Sequence, residues 1–303
     1  MSNVIALIWD CDKTLVDGYM QDPIFRHYGV DAGQFWAHVQ SLPAHYRETQ
    51  DVKVNPETVY LNEFIRCAHN GTFPGLNNEM LRSFGAQQRF YPGVPDILRR
   101  TRALVNDNAE YAAFGIRLEH YIVSTGFAEV IRGSAVMDEV AGVWGCELIE
   151  APDAEGRPVL SEIGYTIDNT TKTRALFEIN KGIPFIPGID VNSSVPEENR
   201  RVPFRNMIYI ADGPSDIPAF SLVNRSGGAT FAIYPHGDGA ALAQVERMRQ
   251  AGRVNMYAEA DYTEGTTADL WLTAKIRELA ERILREEKQK ITSRAGASPR
   301  HLA

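Results

Sequence analysis

The sequence of 303 residues contains few cysteines and has no excess of positive charge. Cys11, Cys67 and Cys146 are odd in number and too widely spaced for a disulfide framework or a CxxC metal site, which favours a reducing compartment. With a formal net charge of -8 and a pI near 5.5, the chain has no overall basic field to attract nucleic acid or an anionic membrane. We therefore expect neither kind of partner.

A long hydrophobic run is also missing. The first apolar stretch, Val4–Trp9, is too short for a signal peptide or a membrane span, and no cationic region precedes it. A cytoplasmic location is the expectation that follows. With 44% hydrophobic residues, the chain can bury one large core, or a core with a smaller companion domain.

Five short apolar runs, separated by helical patterns, predict the parallel strands of one sheet. The first is Val4–Trp9, and the others lie in His120–Gly126, Asn206–Gly213, Thr230–Gly237 and Val254–Asp261. Strands that alternate with helices in this way are typical of an α/β protein with a doubly wound parallel sheet. The prediction is therefore a Rossmann-like core.

The segment 17–90 interrupts this pattern, because its periodicity is helical and it contains no strand-like run. We predict that it is a small helical cap domain inserted into the core. The core is then discontinuous, formed by residues 1–16 and 91–285. Residues 286–303 are predicted to be a disordered tail.

Two other segments depart from the alternating pattern. Residues 146–164 predict a hairpin that turns at Asp153–Gly156. Residues 182–205 are rich in Pro, Asn and Ser and are long for a connection inside a compact domain. Three arginines of this connection either form a rim that attracts anions or only solvate the loop: Arg200, Arg201 and Arg205.

Residues capable of chemistry follow three of the apolar runs. They are Asp10 and Asp12 after the first run, Ser124 and Thr125 after the second, and Asp212 and Asp216 after the third. Ligands of open α/β sheets bind beyond the carboxyl ends of the strands. If these strands are neighbours, four carboxylates meet at one edge and repel each other unless a cation joins them. Oxygen ligands favour Mg²⁺, which in turn predicts a substrate with phosphate oxygens.

These residues resemble the motifs of the haloacid dehalogenase (HAD) superfamily. The segment Asp10–Thr14, "DCDKT", matches its DxDxT signature, and "IVSTG" resembles its second motif, with Ser124 in the serine or threonine position. Lys172 fits the lysine of the third motif, and "ADGPSD" is similar to the acidic fourth motif. The motifs occur in the family's order. The helical segment 17–90 lies where the branch resembling phosphoserine phosphatase carries its cap.

The resemblance implies a role for each of these residues. Asp10 is the expected nucleophile, which forms an aspartyl-phosphate, and Asp12 is the expected acid and base. Ser124 and Lys172 are expected to bind the phosphoryl group, with Thr125 as the alternative to Ser124.

The resemblance also implies the ligands of one Mg²⁺ ion. Asp10, Asp212 and the backbone carbonyl of Asp12 are expected to bind it. Asp216 is expected to bind the metal or to support its ligands, although it could instead cap the following helix.

The predicted activity is hydrolysis of a small phosphorylated metabolite. Asp12 favours this activity, because dehalogenases of the superfamily lack an acid at that place. The alternatives are a phosphotransferase or sugar-phosphate mutase, and a non-catalytic module that binds a phosphorylated ligand. In the insertion, Tyr19 and Arg47 are candidates for contacts with the leaving group. Tyr19 and Met20 replace the glutamate that phosphoserine phosphatases usually carry, which argues against phosphoserine.

Overall fold

The computed structural model describes residues 3–295, which form a seven-stranded sheet flanked by helices. The strands are β1 (Val4–Trp9), β2 (Arg117–Phe127), β3 (Val140–Pro152), β4 (Pro158–Tyr165), β5 (Met207–Ala211), β6 (Ala229–Tyr234) and β7 (Met256–Glu259). Their order across the sheet is β4-β3-β2-β1-β5-β6-β7, and every neighbouring pair is parallel except β3 and β4. The predicted doubly wound α/β fold is confirmed, with the five predicted runs as β1, β2, β5, β6 and β7.

The helices lie between the strands and in the insertion. They are α1 (Asp22–Tyr28), α2 (Ala32–Gln50), α3 (Val59–Asn70), α4 (Asn78–Gly85), α5 (Asp96–Asn106), α6 (Ala109–Ala113), α7 (Ala128–Arg132), α8 (Lys172–Lys181), α9 (Ile217–Arg225), α10 (Gly239–Gln250) and α11 (Thr267–Ala295). Within residues 3–295, none of these helices is both long enough and apolar enough to cross a membrane.

Strand β1 is the centre of the sheet. All six of its side chains are at most 1% exposed, because β2 and β5 pair with it on either side and helices cover its faces. Trp9 is level with Ile122 of β2 and with Ile210 of β5. The residues that follow these three positions therefore meet at one edge of the sheet.

The helical segment 17–90 leaves and rejoins the core at adjacent points. Val16 and Phe90 form a β-bridge there, and the Tyr91 N–H donates to the carbonyl of Leu15 at 2.9 Å. Between these points lie helices α1 to α4, which pack around a cluster of aromatic rings: Phe25, Phe35, Phe64 and Phe73. We call this segment the insertion.

The hairpin forms with its turn at residues 153–156, as predicted, but it has a larger part in the fold than the sequence indicated. Its first strand, β3, pairs in parallel with β2 and so extends the sheet. Its second strand, β4, supports the insertion, since the Leu160 N–H donates to the carbonyl of Leu76 at 3.0 Å. This support depends on contacts distant in sequence, which local patterns do not reveal.

The predicted start of the disordered tail at residue 286 is wrong. Helix α11 continues through residues 286–295, where Arg205 bonds Glu286 and holds the helix against the core. Residues 296–303 of the predicted tail lie outside the described residues.

The connection 182–205 is bonded to the core near the amino ends of the strands, on the side opposite to the predicted site. Arg201 binds Glu119 near the start of β2 at 2.6 Å, and Arg205 pairs with Glu286 of α11 at 2.8 Å. Lys181, at the end of α8, donates to the carbonyls of Val191 and Ser193 in the same loop. These contacts are structural, so Arg201 and Arg205 do not form an anion-attracting rim at the predicted site.

A buried histidine fixes the end of β1. The Trp9 indole N–H donates to His120 Nδ1 at 3.1 Å, and His120 Nε2 lies 2.9 Å from the carbonyl of Leu98. These partners select the neutral ring, with its proton on Nε2. Burial lowers the pKa of His120 to about 3.

This histidine should make the protein sensitive to acid. In the unfolded chain its imidazole gains a proton near pH 6.5, whereas in the folded protein it does so only near pH 3. As the pH falls between these values, protonation of His120 in the unfolded chain should lower the free energy of unfolding by about 1.4 kcal/mol for each pH unit. Urea unfolding from pH 7 to pH 4 should therefore show a smaller loss of stability in His120→Gln than in the wild type.

The control is His236→Gln, at an exposed histidine whose pKa is raised by its hydrogen bond to Glu259. That variant should not reduce the acid sensitivity. Parallel pH profiles for wild type and His120→Gln would contradict the account.

Candidate active site at the carboxyl ends of the strands

Three polar residues lie at the carboxyl ends of neighbouring central strands. The Asp10 N–H donates to the carbonyl of Ile210 at 2.9 Å, which extends the pairing of β1 with β5 by one residue. Asp212 follows the end of β5 directly, and Ser124 lies near the end of β2 on the other side of β1. Asp10 and Ser124 are buried. The strand ends are therefore neighbours, as the prediction of a shared site requires.

Lys172 brings a buried positive charge to this edge. It begins α8 and is 1% exposed. Its ammonium donates to Asp10 Oδ1 at 2.8 Å and to Asp216 Oδ1 at 2.6 Å. Burial acts to lower the pKa of Lys172, but the charges of Asp10 and Asp216 outweigh burial and raise it above its usual range. Lys172 is therefore a permanent cation between two carboxylates.

The loop before α8 positions this lysine. The Asp168 carboxylate accepts hydrogen bonds from the backbone N–H groups of Thr170 and Thr171, so it forms the turn that starts the helix. The insertion reaches the same loop, where Glu57 accepts from the Asn169 backbone N–H at 2.7 Å and from its side-chain amide at 2.6 Å. The insertion and the start of α8 are thus directly connected.

Asp216 is completely buried and receives three hydrogen bonds. Besides Lys172, its donors are the Tyr209 hydroxyl at 2.5 Å and the Ser215 hydroxyl at 2.9 Å. Its side chain makes no capping bond to α9. The alternative role as a helix cap is therefore not observed.

The carboxylates lie close enough to share a cation. Oxygen atoms of Asp10, Asp212 and Asp216 lie within 4.8 Å of one another. Burial, followed by the charge of Asp10, raises the pKa of Asp212 to about 7. Burial raises the pKa of Asp10 to about 6, although Lys172 opposes this. Three carboxylates that face one ammonium, with oxygen as the only donor atom, are a set that fits a hard divalent cation.

Asp12 has a different environment from these three residues. Its Oδ1 accepts from the Met20 backbone N–H at 2.8 Å, at the start of the insertion. Burial, followed by the charge of Asp10, raises the pKa of Asp12 to about 8. At neutral pH this carboxyl group therefore holds a proton more readily than that of Asp10.

The two candidates for phosphoryl binding on β2 differ in what their polar atoms contact. The Ser124 hydroxyl oxygen accepts from the Gly126 backbone N–H at 3.0 Å, which leaves its own proton free to donate. The backbone carbonyl of Thr125 accepts from the Tyr60 hydroxyl of α3 at 2.7 Å. Ser124 is buried at the strand end, whereas the Thr125 side chain is half-buried.

The two residues of the insertion that were predicted to contact the leaving group, Tyr19 and Arg47, lie in different places. Tyr19 lies against the first motif, with the Lys13 ammonium 4.4 Å from the centre of its ring. Arg47 lies at the exposed end of α2, where it pairs with Asp51 at 3.6 Å. Of the two, only Tyr19 is close to the acids.

Sequence reasoning missed three residues that hold the site together: Tyr209, Glu57 and Met20. Tyr209 could have been found, because a tyrosine inside a buried apolar run needs a partner for its hydroxyl. Glu57 gave no such signal, since its partner becomes a neighbour only when the insertion folds onto the core. Met20 acts on Asp12 through its backbone N–H, which no side-chain pattern reveals.

Comparison with solved structures identifies the fold. The chain superposes on a HAD-family hydrolase from Salmonella enterica serovar Typhi with a TM-score of 0.51, 14% identity and coverage of 84% of this chain and 67% of the other. It superposes on a phosphoserine phosphatase in the apo form with a TM-score of 0.50, 12% identity and coverage of 86% and 96%. The fold is that of the HAD-family hydrolases, as the sequence motifs predicted.

Comparison with known sequences identifies a family. No family model matches the chain. An uncharacterized protein of Borreliella burgdorferi is 37% identical over 287 residues, which are 90% of this chain and 97% of that protein. The chain belongs to the same family as this protein.

The acid cluster should bind Mg²⁺ and be stabilised by it. At a Mg²⁺ concentration 100 times the dissociation constant, the free energy of unfolding should rise by about 2.7 kcal/mol. Asp212→Asn should abolish the rise in melting temperature, because it removes a charged ligand. Asp12→Asn should keep it, because the expected ligand at this position is the backbone carbonyl.

Asp190→Asn is the matched control, since Asp190 is exposed and bonds only within its own loop. It should behave like the wild type. An equal Mg²⁺ effect in wild type and Asp212→Asn would show that the metal binds elsewhere.

Proposed function

We propose that the protein is a Mg²⁺-dependent phosphomonoester hydrolase of a small phosphorylated metabolite, which acts through an aspartyl-phosphate on Asp10. The observation that carries the proposal is the buried ammonium of Lys172 between Asp10 and Asp216, beside a third aspartate, Asp12, whose pKa is higher than that of Asp10. This arrangement supplies an ionised nucleophile and a protonated acid at one strand end.

The two oxygens of Asp10 have different partners. Oδ1 accepts from the Lys172 ammonium at 2.8 Å, whereas Oδ2 accepts from the Thr14 hydroxyl at the longer distance of 3.5 Å. Oδ2 is therefore the oxygen with a free lone pair to attack phosphorus. Lys172 keeps Asp10 ionised for this step and offsets negative charge on the phosphoryl group. The free proton of the Ser124 hydroxyl can donate to a phosphoryl oxygen.

Asp12 serves as the acid and then as the base. Its pKa of about 8 keeps it protonated at neutral pH, so it can protonate the leaving oxygen as Asp10 attacks. The Met20 N–H then stabilises the carboxylate that remains. This carboxylate can take a proton from the water that hydrolyses the aspartyl-phosphate, which restores both residues.

Asp10, Asp212 and Asp216, with the backbone carbonyl of Asp12, would hold the Mg²⁺ ion. When bound, the ion supplies positive charge that allows an anionic carboxylate to approach an anionic phosphate. Lys172 supplies one positive charge against these three carboxylates, so a repulsion remains that a divalent cation would relieve, which supports the assignment.

The insertion, residues 17–90, is proposed to be the cap of a discontinuous core formed by residues 1–16 and 91–285. Two contacts support this role: the Tyr60 hydroxyl bonds the end of β2, and Glu57 bonds the loop before Lys172. Through them the insertion can cover the strand ends and exclude water from the reacting groups.

The test of this function is phosphate release from a panel of phosphorylated metabolites with Mg²⁺. Wild type should release phosphate from at least one ester, and Asp10→Asn should reduce the rate at least 10³-fold because no nucleophile remains. Asp190→Asn should keep full activity. Equal activity in wild type and Asp10→Asn would exclude the mechanism, and transfer of the phosphoryl group to an added alcohol would favour a phosphotransferase.

Asp12→Asn should separate the two halves of the reaction. With an alkyl phosphate the variant should lose about 10²- to 10⁴-fold in rate, since the leaving alkoxide needs a proton. With p-nitrophenyl phosphate, whose leaving group needs none, the variant should release one equivalent of nitrophenol in a burst and then turn over slowly. Rapid-mixing absorbance measures the burst. Equal losses on both esters, without a burst, would contradict the role of Asp12.

A further inference from the structure

A cleft of about 480 Å³ borders the acids on the side of helix α10. Lys13 and Asp212 line it on the side of the site, and Asp238, Gln244 and Arg247 line it on the side of α10. A Cβ atom on Gly213 would lie 3.3 Å from Gln244 Nε2, so this side chain reaches the residue directly after Asp212. We call this space the α10 cleft. Its volume suits a small metabolite.

The acids of the α10 cleft already have partners. Asp17 pairs with Arg89 at 2.9 Å, and Asp238 caps α10 by accepting from the N–H groups of Ala240 and Ala241. Asp212 belongs to the acid cluster. Asp17 and Asp238 are therefore engaged with other groups, whereas the charge of Asp212 acts on Lys13.

Arg247 is a cation without such a partner. Within residues 3–295, its guanidinium makes no hydrogen bond and no ion pair. The acid next to it in sequence, Glu246, pairs instead with Arg249 at 2.9 Å. Arg247 lies three residues after Gln244, so both project from the same face of α10 into the cleft. Lys13, whose ammonium also lies over the Tyr19 ring, adds a second positive charge to the lining.

We propose that the α10 cleft receives the leaving group of the substrate, and that Arg247 binds a second anionic group on it. This inference rests on the proposed phosphatase function. A guanidinium forms paired hydrogen bonds with either a carboxylate or a phosphate, so both groups fit the site. The preferred substrates are then phosphomonoesters that carry a further negative charge.

The test compares three esters built on one carbon skeleton: 3-phosphoglycerate, glycerol 1,3-bisphosphate and glycerol 3-phosphate. Besides the phosphate that all three share, the first carries a carboxylate, the second carries another phosphate, and the third carries no further anionic group. Wild type should show a kcat/KM at least tenfold higher for one or both of the anionic esters. Arg247→Gln should remove this preference by raising KM, with kcat and the kinetics of glycerol 3-phosphate unchanged.

Arg249→Gln is the matched control on the same helix, since Arg249 does not line the α10 cleft. It should leave all three esters unchanged, and neither variant should shift the melting temperature. An Arg247→Gln effect of equal size on glycerol 3-phosphate, or no effect on any ester that wild type hydrolyses, would overturn the inference and leave the proposed function standing.

If no ester is hydrolysed, the inference is tested by measuring ester binding with calorimetry. The same esters are titrated into Asp10→Asn and into Asp10→Asn with Arg247→Gln. Weaker binding of an anionic ester to the double variant would support the α10 cleft even though the proposed function had failed. Equal binding, or none, would overturn the inference.

Discussion

The site depends on one interaction, the buried contact of Lys172 with Asp10 and Asp216. These groups come from three separate elements: the end of β1, the start of α8 and the turn before α9. Removing one partner leaves a buried charge uncompensated, which costs about 3–5 kcal/mol. The fold must therefore bring all three to the edge of the sheet together. The parallel order of β2, β1 and β5 does so, because it aligns the carboxyl ends of the strands.

The same constraint gives neighbouring aspartates different properties. Lys172 opposes the effect of burial on the pKa of Asp10, whereas for Asp12 the negative charge of Asp10 adds to the effect of burial and outweighs that of Lys172. Two carboxyl groups two residues apart thus differ in pKa by about two units, at about 6 and about 8. In the proposed mechanism this difference suits Asp10 to attack and Asp12 to proton transfer. The insertion contributes to this environment through the Met20 N–H, so in the proposed mechanism it acts on Asp12 as well as covering the site.

The sequence predicted the structure correctly wherever a local pattern of residues determines it. Continuous apolar runs predicted the five parallel strands, and the acids after them predicted which residues meet, because strand ends of a parallel sheet share an edge. It was insufficient where contacts are made only by folding. The place of β3 in the sheet and the contacts of Glu57 depend on partners about 20 to 110 residues away. The distance of Arg47 from the acids likewise follows from how α2 packs, which helical periodicity does not specify.

The central claim is that Asp10 carries the phosphoryl group. Borohydride reduces an acyl phosphate to an alcohol, so reduction during turnover should convert residue 10 to homoserine. Peptide mass spectrometry can locate the change. The account predicts homoserine at position 10 in protein treated with substrate and Mg²⁺, and none without substrate. Conversion at Asp12 or Asp212, or unmodified Asp10 in protein that is releasing phosphate, would contradict it.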